Sequence, residues 1–448
     1  MLASGAARYV TKLRLTGSSA LALNTVAINA LRVVSTVCLT RLLSPDVYGI
    51  TGVIMSVFYM ITMVTELGFQ PYVVRHERSD EPDFISAVFT IHAIRGVLLA
   101  TTGVLLAWPL SLLLDKPALA IPLAICSLTF IIDGQVTLHQ LRGLRDGKIQ
   151  RYAVIDLVVS ISQTLAAIAL AFLLHNVWAI VGSMFVASIV RVWIGYALFP
   201  GSRLTFRLDR EVASDMWRFS RVMAVSSMLT LVITQVDKLG LARILPLSQF
   251  GIYVIASSLA AAPTVFAFNY ASTIVYPAVA AAWREGGSIV SAYYRSWGRF
   301  FYLYAFGGGM LIGLADLIVR LLYDPRYAAA AFYLSILAIS AAFVMVTRSM
   351  ESVQVASGRQ RFAIEANALR LALLVAGGLV ALALHKALVL IVALGVLEPC
   401  VYCFSLIRIG RWHQLRWLRE LSFLTTVASG LAIGALGSWL GRLLFPHL

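Results

Sequence analysis

In the stretch LNTVAINALRVVSTVCLT an arginine stands inside an otherwise apolar helix-forming run, and its polar neighbours are regularly spaced. Thr25, Asn29, Arg32, Thr36 and Thr40 follow one another at steps of three and four, so they share one face of a helix. A guanidinium on such a face presents a fork of N–H donors suited to the oxygens of an anionic group. A second stripe, Ser227, Thr230, Thr234 and Lys238, with Gln235 and Asp237 beside it, repeats the pattern later in the chain. Further ionisable side chains interrupt apolar segments: Arg95, Asp133, Asp156, Arg191, Arg348, Glu351, Glu365, Arg370 and Glu398. A charge near the centre of a bilayer costs about 2.5–3.5 kcal/mol even on the lenient insertion scale, so their number needs a common cause. A polar, water-filled cavity supplies one. Ion pairing is the competing explanation, strongest for Arg95, Asp133, Asp156 and Glu365 near the ends of their segments. On this reading Arg32, Arg191, Lys238, Arg348 and Arg370 are the candidate anion-binding cations. Asp237 and Glu398 are the candidate carboxylates for a coupling ion, H+ or Na+.

The elements that must position these groups are membrane helices. With 60% hydrophobic and 13% charged residues in 448, the chain lies outside the range of soluble globular proteins. The sequence predicts an all-α polytopic membrane protein with about 13 spans, near 18–43, 48–70, 84–113, 118–141, 152–174, 177–199, 218–245, 250–278, 299–322, 329–356, 362–384, 387–408 and 421–441. The N-terminal stretch is basic, and the apolar run after it is too long for a signal peptide. The net charge of +15 follows the membrane rather than a nucleic acid: roughly 23 of the 36 Lys and Arg fall in alternate connections, against about four in the opposite ones. This asymmetry predicts a cytoplasmic N-terminus and a C-terminus on the outer side.

The chain also repeats itself. TRLLSPDVYGI, residues 40–50, returns as ARILPLSQFGI, residues 242–252, with Arg41 matching Arg243 and Gly49 matching Gly251. Each copy joins two apolar segments, which predicts two six-helix lobes. The expected organisation is a cytoplasmic segment (1–17), an N-lobe (18–199), a linker (200–217), a C-lobe (218–408), and a basic loop with one extra C-terminal span (409–448). Ser44 can cap the helix after the first turn, Pro45 suits its first position, and Ser248 can cap the helix in the repeat. Gly49 and Gly251 permit close helix approach. Arg41 and Arg243 either meet a departing anionic headgroup or snorkel to the interface.

Several chemistries are disfavoured. The outer connections are only a few residues long, which leaves no domain on which a glycan polymerase or ligase could hold its substrates. No phosphate-binding G-x-x-x-x-G-K-[ST] loop occurs, so the chain is no ATP-driven pump by itself. Cys400 and Cys403 form a C-x-x-C on an apolar helix without a second pair, a poor metal site. No cofactor is expected.

Three stretches, TRLLSPDVYGI, ELGFQPYVVR and QVDKLGLARILPLSQFGIY, resemble the polysaccharide flippases of the multidrug/oligosaccharidyl-lipid/polysaccharide exporter superfamily. The resemblance implies two lobes facing a central cavity, alternating access, and transfer of an undecaprenyl-diphosphate-linked oligosaccharide from the cytoplasmic to the periplasmic leaflet of a bacterial inner membrane. It makes the outer side, and with it the expected C-terminus, periplasmic. The partners it implies are that lipid-linked substrate, the bilayer, and polysaccharide polymerase and export machinery. Related lipid II flippases have fourteen spans, the last two forming a groove for the lipid tail, whereas one extra span is read here. Two alternatives stand beside this reading. A cation-coupled drug exporter would line its cavity mainly with acids, and a scaffold for glycan assembly would need no central charges.

Overall fold

Lipid offers the backbone no hydrogen-bonding partner, so a chain of this composition must close its hydrogen bonds within helices. The computed structural model describes residues 17–65, 72–73, 76–146, 148–201, 205–359, 361–410 and 415–444, and among them there are helices and turns and no strand. The expectations for residues 1–16, Pro71, Arg75, Arg203 and Arg411 lie outside the described residues. So do those for the side chains of Thr25, Arg142, Arg145, Arg221, Ser227, Thr230 and Thr234.

In chain order the helices are α1 (Gly17–Leu42), α2 (Pro45–Thr65), α3 (Pro82–Leu113), α4 (Ala120–Ser127), α5 (Thr129–Asp133), α6 (His139–Arg145), α7 (Ile149–Leu174) and α8 (Trp178–Leu198). They continue as α9 (Arg210–Ile244), α10 (Leu247–Tyr270), α11 (Tyr276–Arg284), α12 (Ile289–Ser296), α13 (Arg299–Leu322), α14 (Ala330–Ala356), α15 (Arg361–Leu384), α16 (Ala387–Gly410) and α17 (Trp417–Leu444). A π-helical turn, Ala271–Val275, carries α10 on into α11.

Among the described residues, ten helices are long and apolar enough to cross a membrane: α2, α3, α7, α8, α10 continuing through α11, and α13 to α17. The chain is a multi-pass membrane protein. These ten coincide with ten of the thirteen expected spans. The first and seventh also form as helices, α1 with 26 residues and α9 with 35, and part of their side chains lies outside the described residues. The fourth is a short apolar stretch, Pro117–Asp133, broken between α4 and α5 at Leu128. Large apolar side chains such as Leu105, Phe172, Trp193, Leu379 and Leu436 point outward, as lipid-facing residues do.

The connections are tight where short loops were read. Asp115, His175 and His385 each take a left-handed φ, 57°, 52° and 50°, and so reverse the chain within a few residues. His175 closes α7 by donating its N–H to the carbonyl of Ala171 at 3.0 Å.

Contacts divide the chain into two units, residues up to 43 with 54–232, and 44–53 with 233 onward. In the first, α1 and α8 both pack on α7, while α3 packs on α4 and α5. In the second, α14 is the hub, touching α10, α13 and α16, and α17 lies along α13. The core of this unit is aromatic near α12, where Trp297 stacks on Phe301 with ring centroids 4.2 Å apart and Phe423 of α17 joins them.

The repeated turn has a structural consequence in the second unit. The first residues of α2 cross the first residues of α10 so closely that a Cβ on Gly49 would fall 2.2 Å from the carbonyl oxygen of Leu247. One on Gly251 would fall 1.9 Å from that of Pro45. The two glycines of the repeat therefore serve one crossing, and neither can carry a side chain without moving the backbone. Pro45 opens α2 as expected, with the Tyr48 N–H donating to the Ser44 carbonyl at 3.4 Å. In the repeat the expectation for Ser248 fails: Pro246 precedes the helix and Leu247 begins it, so Ser248 lies inside the first turn and caps nothing.

Candidate functional site

On α1, Arg32 and Asn29 are both exposed, and the Thr36 hydroxyl donates to the carbonyl of Arg32 at 2.8 Å. That bond turns the threonine onto its own helix. Among the described residues no carboxylate lies within ion-pair distance of the Arg32 guanidinium. Arg191 on α8 differs: its Nη1 lies 3.4 Å from Oδ1 of Asp156 on α7, and both side chains are partly exposed.

In the second unit the structure brings four of the sequence-singled charges together. Arg370 of α15, 2% exposed, donates from Nε to Glu398 Oε1 at 2.8 Å and from Nη2 to Glu398 Oε2 at 3.0 Å, a bidentate pair with α16. Its Nη1 donates to Glu351 Oε1 of α14 at 2.5 Å and to Asn367 Oδ1 at 3.0 Å. Glu351 Oε2 accepts in turn from Arg348 Nη1 at 2.9 Å, and the Thr347 hydroxyl donates to Glu398 Oε2 at 2.6 Å. Two arginines and two glutamates balance to zero charge. Such a network ties three helices together, and removing one member strands the others in a low-dielectric interior. The spacing of Arg348 and Glu351 made one pair legible. Asn367 and Thr347 carried no signal in the sequence.

Asp237 and Lys238 sit side by side on α9 but make no ion pair with each other among the described residues. The Tyr253 hydroxyl of α10 donates to Asp237 Oδ2 at 3.2 Å, while Asp237 Oδ1 and Gln235 Oε1 are buried without a hydrogen-bond partner among the described residues. Lys238 is half-buried. The two candidate coupling carboxylates thus differ: both oxygens of Glu398 are occupied, and among the described residues Asp237 keeps one without a donor.

Sequence reasoning missed a further buried carboxylate. Glu420, near the start of α17, accepts from the phenols of Tyr294 on α12 at 2.6 Å and Tyr402 on α16 at 2.7 Å. The Arg416 backbone N–H donates to the Tyr294 oxygen at 3.1 Å, and its guanidinium lies 5.9 Å from that ring's centroid. Burial, with the Glu420 carboxylate, pushes the Tyr294 phenol well above its ordinary range, so it remains a donor. These bonds fasten the start of α17. The one available signal was a lone acid after the basic run RWHQLRWLR. Where α15 starts and α16 ends, Arg408 binds Glu365 through two bonds of 3.0 and 2.8 Å.

Ten helices apolar enough to cross a membrane among the described residues, with ionic side chains bonded to one another inside them, define a polytopic membrane protein. The chain belongs to the polysaccharide biosynthesis protein family, whose model matches residues 38–332. It is 26% identical over 250 residues, 55% of this chain and 50% of the relative, to the succinoglycan biosynthesis transport protein ExoT of Rhizobium meliloti (strain 1021). The chain thus spans about half the length of that curated relative. Its fold is similar to that of the lipid II flippase MurJ in an inward closed conformation, with a TM-score of 0.72 and 11% identity over 93% of this chain and 91% of that one. An inward-facing multidrug resistance MATE family transporter of the MOP superfamily gives 0.65 at 13% identity, covering 89% and 99%. These relatives and neighbours are transporters and flippases, not enzymes.

Proposed function

We propose that the protein flips an undecaprenyl-diphosphate-linked oligosaccharide from the cytoplasmic to the periplasmic leaflet of a bacterial inner membrane, by alternating access, for exopolysaccharide, capsule or O-antigen synthesis. Membership of the polysaccharide biosynthesis family supports the pathway class, and the transport role of the succinoglycan relative supports the reaction. The observation that carries the substrate's chemistry is Arg32. It is exposed on a polar helix face and, among the described residues, has no carboxylate to neutralise it. Of the other candidate cations, Arg348 and Arg370 are bound to Glu351 and Glu398, and Arg191 to Asp156. Lys238 has no ion pair among the described residues and is the second candidate for the anionic headgroup. An exporter of cationic drugs would want acids on that exposed face.

For coupling, Asp237 is favoured over Glu398, because a carboxylate oxygen without a donor can take up a proton or coordinate Na+ without breaking an existing bond. The test of the assignment is complementation of a strain lacking the gene. Arg32→Ala at wild-type membrane levels is expected to lose polymer export, and Arg32→Lys to restore part of it, because a point charge replaces a fork. Full export by Arg32→Ala removes Arg32 from the substrate path.

A further inference from the structure

One groove lies away from every residue used above. It has a volume of about 480 Å³, within the range of ligand sites, and is formed by the last turns of α13 and α17 and the start of α14. Ile312, Ala315, Ala331, Phe332, Ala435 and Trp439 make its walls apolar. At its mouth the Asp316 carboxylate holds two arginines at once: Arg320 Nε at 3.0 Å and Arg442 Nε at 2.9 Å, both bonding Oδ2. The trio carries a net positive charge. Both guanidinia are substantially exposed, and among the described residues their terminal N–H groups make no hydrogen bond that would turn them away from the mouth. Each arginine lies in the last turn of its helix, where it complements the negative end of the helix dipole. That role accounts for one cation per helix. It does not account for two gathered on one carboxylate over an apolar groove.

A further polar group points to the occupant. Ser438 lines the groove, is 7% exposed, and its hydroxyl has no hydrogen-bond partner among the described residues. It lies four residues before Arg442, on the same face of α17 and about 6 Å deeper along the helix. A phospholipid presents its groups in that order: phosphate at the surface, ester carbonyl just below, acyl chain beyond. We propose that this groove is a binding site for one anionic phospholipid. Its phosphate accepts from Arg320 and Arg442, its ester carbonyl accepts from Ser438, and its chain lies against Phe332 and Trp439. Basic pockets between membrane helices recognise anionic headgroups by the same chemistry.

The test is native mass spectrometry of the full chain released from detergent with phosphatidylglycerol or phosphatidylcholine of identical acyl chains. Wild type is expected to retain one phosphatidylglycerol in preference to phosphatidylcholine. Arg320→Gln with Arg442→Gln should cut that preference by about tenfold or more, since it removes both charge-assisted hydrogen bonds to the phosphate. Ser335→Trp, which fills the groove, should abolish retention of both lipids, while Arg326→Gln on the adjacent turn should change nothing. Equal retention of the two lipids by wild type overturns the proposal without recourse to any variant. So does a loss caused by Arg326→Gln as large as that of the double variant, which would mean a diffuse surface charge.

Discussion

Arg370 shows what a buried charge does when its partners are present. Replacing it by Met leaves Glu398 without a cation and Glu351 with Arg348 alone, and the expected cost is about 3–5 kcal/mol. Thermal unfolding of the detergent-solubilised protein should show this as a large drop in midpoint. Adding Glu398→Gln to Arg370→Met should recover most of the loss, since Arg348 and Glu351 then remain a neutral pair and no stranded charge is left. No recovery would mean that the network's shape, rather than its charge balance, sets the stability. The sequence made these residues visible as charges in the wrong solvent, but not as partners. Arg348 and Glu351 are one helical turn apart, whereas Arg370 and Glu398 lie on separate helices and meet only through packing that no spacing encodes. Arg32 was legible because its stripe lies within a single helix.

At the scale of the element, the crossing of α2 and α10 explains why a turn is written twice. Each copy places a glycine against the backbone of the other, at Leu247 and at Pro45. Gly251→Leu should therefore displace one helix start from the other, and membrane levels of the protein and export should both fall. Gly49→Leu should do the same, whereas the exposed position Gln249 should tolerate Leu with little change. If both glycine variants export normally, the crossing has no functional weight. Sequence periodicity found the long helices because apolar runs of span length leave little else to form in lipid. It missed the break between α4 and α5, where no proline or glycine marks Leu128. Helix starts were partly legible: Pro45 sits where its fixed φ suits, but Pro246 took the place that Ser248 was expected to define.

For the whole molecule, lobes at 18–199 and 218–408 and the orientation of the termini remain proposals with a direct check. Single cysteines at Asp46 and Ser248 in a cysteine-free background should both react with an impermeant maleimide from the periplasmic side. Labelling of one from each side would remove the common orientation of the two turns. Transport of an anionic headgroup outward is favoured by an inside-negative potential at about 2.3 kcal/mol per charge per 100 mV, provided the cationic side chains stay behind. The carrier must then reset empty, and a cation taken up at Asp237 would bias that step. Asp237→Asn is expected to abolish any dependence on the proton or sodium gradient while leaving dependence on the potential. The central claim is tested by reconstituting the purified protein into vesicles that hold an undecaprenyl-diphosphate-linked oligosaccharide in one leaflet and following the headgroup's accessibility to an impermeant glycosidase. Wild type should expose the headgroup on the far side faster than protein-free vesicles and Arg32→Ala vesicles, and faster still when an inside-negative potential is imposed on protein oriented as in the cell. Wild-type exposure no faster than in protein-free vesicles, with or without the potential, contradicts the flippase reading.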